Sequence, residues 1–214
     1  MYRFLKLIAH LLVFISMRPI VKGRENLPAA GPFLLVSNHL SVADPVLLGA
    51  KIGQRVIFMA KEELFRNKSA AYFIRSFGAL PVYRGSSNRD ALHQSSGILK
   101  SGKILAMFPE GTRSSSGSLI QGQPGAALIA YHNKIKIVPI SIIGTEKIRG
   151  KEWLFHRPRV LVTIGEPFYL PEIGHSLRRE QIFELTSIIM KKIASLLPED
   201  YKGQYSNESK NGNN

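Results

Sequence analysis

Apolar residues along the chain gather in short runs separated by polar loops. Residues 33–36 (Phe-Leu-Leu-Val), 104–107 (Ile-Leu-Ala-Met) and 135–143 read as strands, because an apolar run of about four to eight residues bounded by turn signals suits a strand buried on both faces. Residues 54–60 add a further strand, and 78–85 a short extended stretch. Asp44-Pro45 is the usual opening of a helix, with Asp as N-cap and Pro in the first position. Residues 90–101 and 125–132 read as helices that each precede or follow a strand. A last helix over 176–197 carries Ile182, Leu185, Ile189, Ile193 and Leu196 on one stripe, the pattern of a packing face. This alternation predicts an α/β fold, a single domain built on a mixed, mostly parallel sheet flanked by helices.

The ends of the chain differ from its middle. Residues 7–17 are the most apolar segment, with Ile8, Leu11, Leu12, Val13, Phe14 and Ile15, yet a spanning helix needs about 20 such residues. A signal peptide fits less well, since no small-residue cleavage pattern follows. Arg3, Lys6, Arg18, Lys22 and Arg24 all precede the first acid, Glu25. Residues 1–20 are therefore expected to form a membrane-associating helix whose flanking cations meet anionic head groups, against the alternative of a helix packed on the domain's own core. Residues 21–198 make the globular domain. Residues 199–214, polar and without an apolar period, are expected to be a disordered tail.

Composition narrows the chemistry. The 214 residues are 44% hydrophobic and 21% charged, enough for one domain with a substantial core. The absence of cysteine excludes disulfides and thiolate metal sites, and the six histidines form no helix-spaced pair with a carboxylate, so no metal cofactor is expected. A formal charge of +14 calls for an anionic partner. Without a recognisable nucleic-acid motif or a basic surface interleaved with aromatics, that partner is a lipid surface or a phosphorylated substrate rather than nucleic acid.

Two polar loops follow predicted strands, where ligands collect in open α/β sheets. After 33–36 comes Ser37-Asn38-His39-Leu40-Ser41-Val42-Ala43-Asp44, with an imidazole and a carboxylate separated by four residues. Positions five apart on one helix do not share a face, so His39 and Asp44 meet only if His39 lies in the loop before the helix. A histidine held in one tautomer by a carboxylate suits general-base chemistry. After 104–107 comes Phe108-Pro109-Glu110-Gly111-Thr112-Arg113-Ser114, in which glycine admits backbone N–H groups close to an anion and arginine matches phosphate oxygens. Arg84 ends the extended stretch 78–85, and with Arg113 would make a phosphate clamp. Taken singly, each loop also reads as an ordinary surface turn, with Glu110 paired to Arg113 in the second.

Asn38-His39 to Asp44, Gly78 to Arg84, Phe108 to Arg113 and Ile137-Val138-Pro139-Ile140 stand in the order and approximate spacing of the four blocks of the glycerolipid acyltransferase family. Over about residues 20–170 the chain resembles that family's bacterial 1-acyl-glycerol-3-phosphate acyltransferases. The resemblance implies transfer of a fatty acyl group from acyl-CoA or acyl carrier protein to the sn-2 hydroxyl of lysophosphatidic acid, making phosphatidic acid for phospholipid synthesis, and the apolar, cation-flanked N-terminal helix is expected to put that reaction at the cytoplasmic face of the cell membrane. It implies that His39 removes the hydroxyl proton and that Asp44 orients it. It also implies that Arg84, Glu110, Gly111 and Arg113 hold the acceptor's phosphate and glycerol, with Thr112 a hydroxyl donor. No cofactor beyond the acyl-carrying cosubstrate is implied, and no covalent acyl-enzyme. The family's Val138-Pro139 block lines the acyl side of the site, although composition alone makes it a buried strand.

Tyr83 stands where an acidic residue often precedes the arginine, and Gln121 where lysine is frequent. Both changes touch the acceptor side, which keeps glycerol 3-phosphate, another lysophospholipid or a lyso-aminolipid open as acceptors. A non-catalytic protein binding anionic lipid through its basic surface is the remaining alternative.

Overall fold

The computed structural model describes residues 2–67, 71, 78–82, 88–148, 157–174 and 177–206. In chain order the main elements are α1 (Tyr2–Ser16), β1 (Arg18–Lys22), β2 (Leu34–Ser37), α2 (Asp44–Lys51), β3 (Val56–Lys61), β4 (Ala79–Val82), α3 (Asn88–Lys100) and β5 (Ile104–Met107). They continue with α4 (Gly125–Asn133), β6 (Ile137–Ile143), β7 (Arg159–Ile164), α5 (Arg179–Ala194) and a short α6 (Glu199–Lys202).

The strands form one seven-stranded sheet in the order β1-β7-β6-β2-β5-β3-β4. The five strands from β6 to β4 run parallel, while β7 lies antiparallel to β6 and carries β1 parallel to itself. The predicted mixed, mostly parallel α/β sheet is therefore observed. Its central strands are apolar apart from Ser37 and Ser141, because each successive residue points to the opposite face and both faces are covered. Leu35 joins a core with Leu47, Leu48, Val138 and Ile140 on the side of α1 and α2. Leu34 and Val36 join Leu105, Ala127, Leu185 and Ile189 on the side of α3, α4 and α5.

This layering positions a site. Neighbouring parallel strands β2 and β5 send their following helices to opposite faces, α2 to one and α4 to the other. A crevice opens at the carboxyl ends of two strands whose connections diverge in this way.

Three sequence expectations need correction. The boundary at residue 20 cuts through β1, so the sheet begins within the segment assigned to the N-terminal helix. Asp44 is not the N-cap of α2. That position is Ala43, and Asp44 lies in the first turn with its carboxylate turned back to Leu40 and Ser41. Residues 199–206 are not a disordered tail. They form α6 and a 3-10 turn over Gly203–Tyr205, bonded to the loop at Leu119 through Leu119 N–H and the Tyr201 carbonyl at 2.8 Å. Residues 207–214 lie outside the described residues.

Helix α1 has two apolar faces. Ala9, Val13 and Met17 are buried in the core, whereas Leu7, Leu11, Leu12, Phe14 and Ile15 are exposed, Leu7 and Phe14 at 66% each. At 15 residues it is about 22 Å long, short of the roughly 30 Å of a bilayer's hydrocarbon. Among the described residues, no helix is long and apolar enough to cross a membrane.

Candidate active site

Strand β2 ends because a side chain takes over its ladder. Asn38 Nδ2 donates to the Ile142 carbonyl at 2.8 Å, and the Ile142 N–H donates to Asn38 Oδ1 at 2.7 Å. This amide completes the pairing with β6 that the backbone would otherwise continue, which frees the chain to turn out of the sheet at His39.

His39 is held on four sides. Its Nδ1 lies 2.8 Å from Asp44 Oδ2. That oxygen already accepts the N–H groups of Leu40 and Ser41 at 2.8 Å each, so Nδ1 is the donor, and in the neutral ring the lone pair is on Nε2. The ring stacks on Phe108, with centroids 4.0 Å apart and planes 17° from parallel. The backbone N–H of His39 donates to Glu110 Oε1 at 2.7 Å, and its carbonyl accepts the N–H of Ser114 at 2.8 Å. Asp44 is fully buried, while the His39 side chain keeps 17% of its surface in solvent, a partly buried imidazole on a fully buried carboxylate.

Glu110 departs from its expected place against the acceptor and from a pairing with Arg113. It is 3% exposed, and its second oxygen accepts the N–H of Ile120 at 3.1 Å, so both oxygens serve the protein's own backbone. Burial, reinforced by the nearby Asp44 carboxylate and opposed by the two N–H groups, raises its pKa from the usual 4.5 to about 7. Gly111 follows at φ +67°, left-handed backbone where a side chain would be strained, and a Cβ there would stand 3.3 Å from Gln123 Cγ. Thr112 and Arg113 are exposed at the rim. Arg84 and Tyr83 lie outside the described residues.

An imidazole whose outer nitrogen has no hydrogen-bond partner among the described residues, aligned by a buried carboxylate beside a loop carrying an exposed arginine, is equipped to take a proton from a hydroxyl. The comparison with known proteins agrees with that chemistry: the family model described as Acyltransferase matches residues 18–143, which contain every one of these groups. The chain belongs to the acyltransferase family.

This acyltransferase is 33% identical over 187 residues to the 1-acyl-sn-glycerol-3-phosphate acyltransferase of Bacillus subtilis, spanning 86% of this chain and 92% of that protein. It is 36% identical over 143 residues to the enzyme of that name from Streptococcus pneumoniae, where the match spans 66% of this chain and 52% of the other. Its fold resembles the crystal structure of the 1-acyl-sn-glycerophosphate acyltransferase PlsC from Thermotoga maritima, with a TM-score of 0.70 at 25% identity over 91% of this chain and 79% of that one.

Of the residues singled out in sequence, the acyltransferase brings His39, Asp44, Glu110 and Gly111 into one cluster, with Thr112 and Arg113 on the same loop. Asn38 and Phe108 stood inside the recognised blocks, and Ser114 directly after one, without a role. Their functions depend on partners 69 or more positions away in the chain, except that the strand-ending place of Asn38 is the position where a side-chain amide can replace a backbone pair.

Proposed function

We propose that this acyltransferase moves a fatty acyl group from a thioester donor, acyl-CoA or acyl carrier protein, to the sn-2 hydroxyl of lysophosphatidic acid. The observation that carries the reading is the His39 to Asp44 pair, with Nδ1 fixed at 2.8 Å and no hydrogen-bond partner on Nε2 among the described residues. The acceptor's hydroxyl lies against Nε2, which takes its proton as the oxygen attacks the thioester carbonyl. The tetrahedral oxyanion then collapses, the carbon–sulfur bond breaks, and the proton held on Nε2 passes to the departing thiolate. Asp44 stabilises the imidazolium formed between the two steps. Arg113 and Arg84 bind the acceptor's phosphate, and Gly111 and Thr112 shape its glycerol site. Glu110 supports these groups from behind as a positioning residue.

The acceptor class follows the names of the relatives and the +14 charge of the chain. Membrane association, peripheral or monotopic and taken to be at the cytoplasmic face, has its support, as association alone, in the exposed apolar face of α1 and its packing on α2, the helix that begins with Asp44. Val42, between the two catalytic residues, is also exposed, at 70%. An amphipathic helix of this kind lies in one leaflet with its cations at the head groups.

The test is thiol release by the purified protein in anionic vesicles, offering each donor with lysophosphatidic acid, glycerol 3-phosphate or another lysophospholipid. Release that requires lysophosphatidic acid is expected. Release with only another acceptor would replace the acceptor assignment, and vesicle binding without release under any combination would favour a lipid-binding role.

A further inference from the structure

The loop over residues 119–123 is fastened from both sides. Toward the site, the Ile120 N–H donates to Glu110 Oε2 at 3.1 Å and the Gln123 N–H to the Pro109 carbonyl at 2.7 Å. Toward the C-terminus, the Leu119 N–H donates to the Tyr201 carbonyl at 2.8 Å and the Gly122 N–H to the Tyr205 hydroxyl at 3.4 Å. Gly203 rides so close to Leu119 that a Cβ there would stand 2.2 Å from its carbonyl oxygen, at a φ of +53°. Beneath, a Cβ on Gly122 would stand 2.6 Å from Met190 Cγ of α5. Tyr201 is tied in turn by its hydroxyl, which donates to Glu146 Oε1 at 2.9 Å, while Glu146 Oε2 accepts the Gly144 N–H at 2.8 Å.

A path of hydrogen bonds, joined through the backbone of the 119–123 loop, thus runs from the C-terminal segment to the backbone N–H of the catalytic base. Tyr201 and Tyr205 hold Leu119 and Gly122, Ile120 between them holds Glu110, and Glu110 holds the backbone N–H of His39. We infer that residues 198–206 are a positioning element for the acyl-transfer reaction, setting the depth of His39 through the 119–123 loop and Glu110. The inference rests on His39 being the base of the proposed reaction. Reaction rate is sensitive to displacements of this kind, since a misplacement of about 1 Å can cost about a hundredfold.

The experiment compares the full-length protein with its Tyr205→Phe and Gly203→Ala variants, reading steady-state kinetics across pH and amide hydrogen exchange by mass spectrometry. Gly203→Ala should lower kcat by about tenfold or more with the acceptor KM nearly unchanged. Exchange should quicken in peptides carrying His39 and Ile120 and stay unchanged in β7. Tyr205→Phe, which removes one bond and adds no bulk, should show the same pattern at smaller amplitude with the fold intact, so it decides the matter if Gly203→Ala fails to fold. Faster exchange at Ile120 with His39 exchange and kcat both unaltered would overturn the inference, leaving the segment as a cover for the core. If the unaltered protein shows no turnover, the proposed function fails, and the exchange at His39 still scores the positioning path by itself.

Discussion

Glu110 grips His39 by its backbone, Oε1 lying 2.7 Å from the histidine N–H, while Asp44 grips the same residue by its ring. Two buried carboxylates, one from the first turn of α2 and one from the loop after β5, therefore fix one side chain in both depth and rotation. The loop after β5 also supplies Phe108 under the ring and Ser114 N–H to the carbonyl, so His39, just beyond the end of β2, is immobilised by the loop that follows the neighbouring strand.

The raised pKa of Glu110 links this arrangement to pH. Its folded value of about 7 lies above the usual 4.5, so its contribution to stability is fully present below about pH 4.5 and is lost as pH rises through 7. Glu110→Gln removes that titration, and the stability of the native chain relative to the variant should fall by about 3 kcal/mol between pH 4.5 and 8. Urea unfolding at the two pH values measures it. The variant should also lose kcat, because an amide presents an NH2 group to one of the two N–H donors.

Asn38 is the hinge between sheet and site. Asn38→Ala strips two buried hydrogen bonds and leaves the Ile142 N–H and carbonyl without their partner, a cost of about 2–4 kcal/mol. Denaturant unfolding gives the loss directly, and Asn38→Asp should recover little, since a carboxylate cannot donate to the Ile142 carbonyl.

Arg113 tests the acceptor side. Arg113→Ala should raise the KM for lysophosphatidic acid by about tenfold or more while the donor KM stays within about twofold, as expected for loss of a charge-assisted phosphate contact. Steady-state kinetics with each substrate varied in turn distinguishes the two, and a rise in donor KM alone would move Arg113 to the thioester.

The two faces of α1 should separate in mutation. Phe14→Glu, on the exposed face, should weaken flotation with anionic vesicles and leave the melting temperature within a few degrees. Val13→Glu, one residue earlier, puts a charge in the core and should destabilise the fold by several kcal/mol.

Much of this arrangement was legible because it rests on side-chain type and period. The runs at β2, β5 and β6 are apolar on both faces, and the two polar loops follow strands directly, so the placing of His39 and Asp44 could be read from order alone. Strand β1 escaped because Arg18-Pro19-Ile20-Val21-Lys22 sits on the sheet edge with alternate residues exposed and charged ends, a pattern that reads as the flank of the helix before it. Strand β7 carried a period-two signal, with Val160, Val162 and Ile164 inward. Residues 199–206 look like a polar tail because their bonds to the 119–123 loop run through the Tyr201 carbonyl and the Tyr205 hydroxyl, which hydrophobic period does not register. In Pro198-Glu199-Asp200, however, a helix start was visible. The role of Glu110 was hidden for the same reason, since its partners are backbone amides.

The most direct test of the central claim is thiol release with lysophosphatidic acid by His39→Ala beside the unaltered protein, with circular dichroism and vesicle binding measured on both. The account predicts that the variant folds, binds vesicles normally and loses turnover by about a hundredfold or more. Turnover within about twofold of the unaltered protein would contradict His39 as the base.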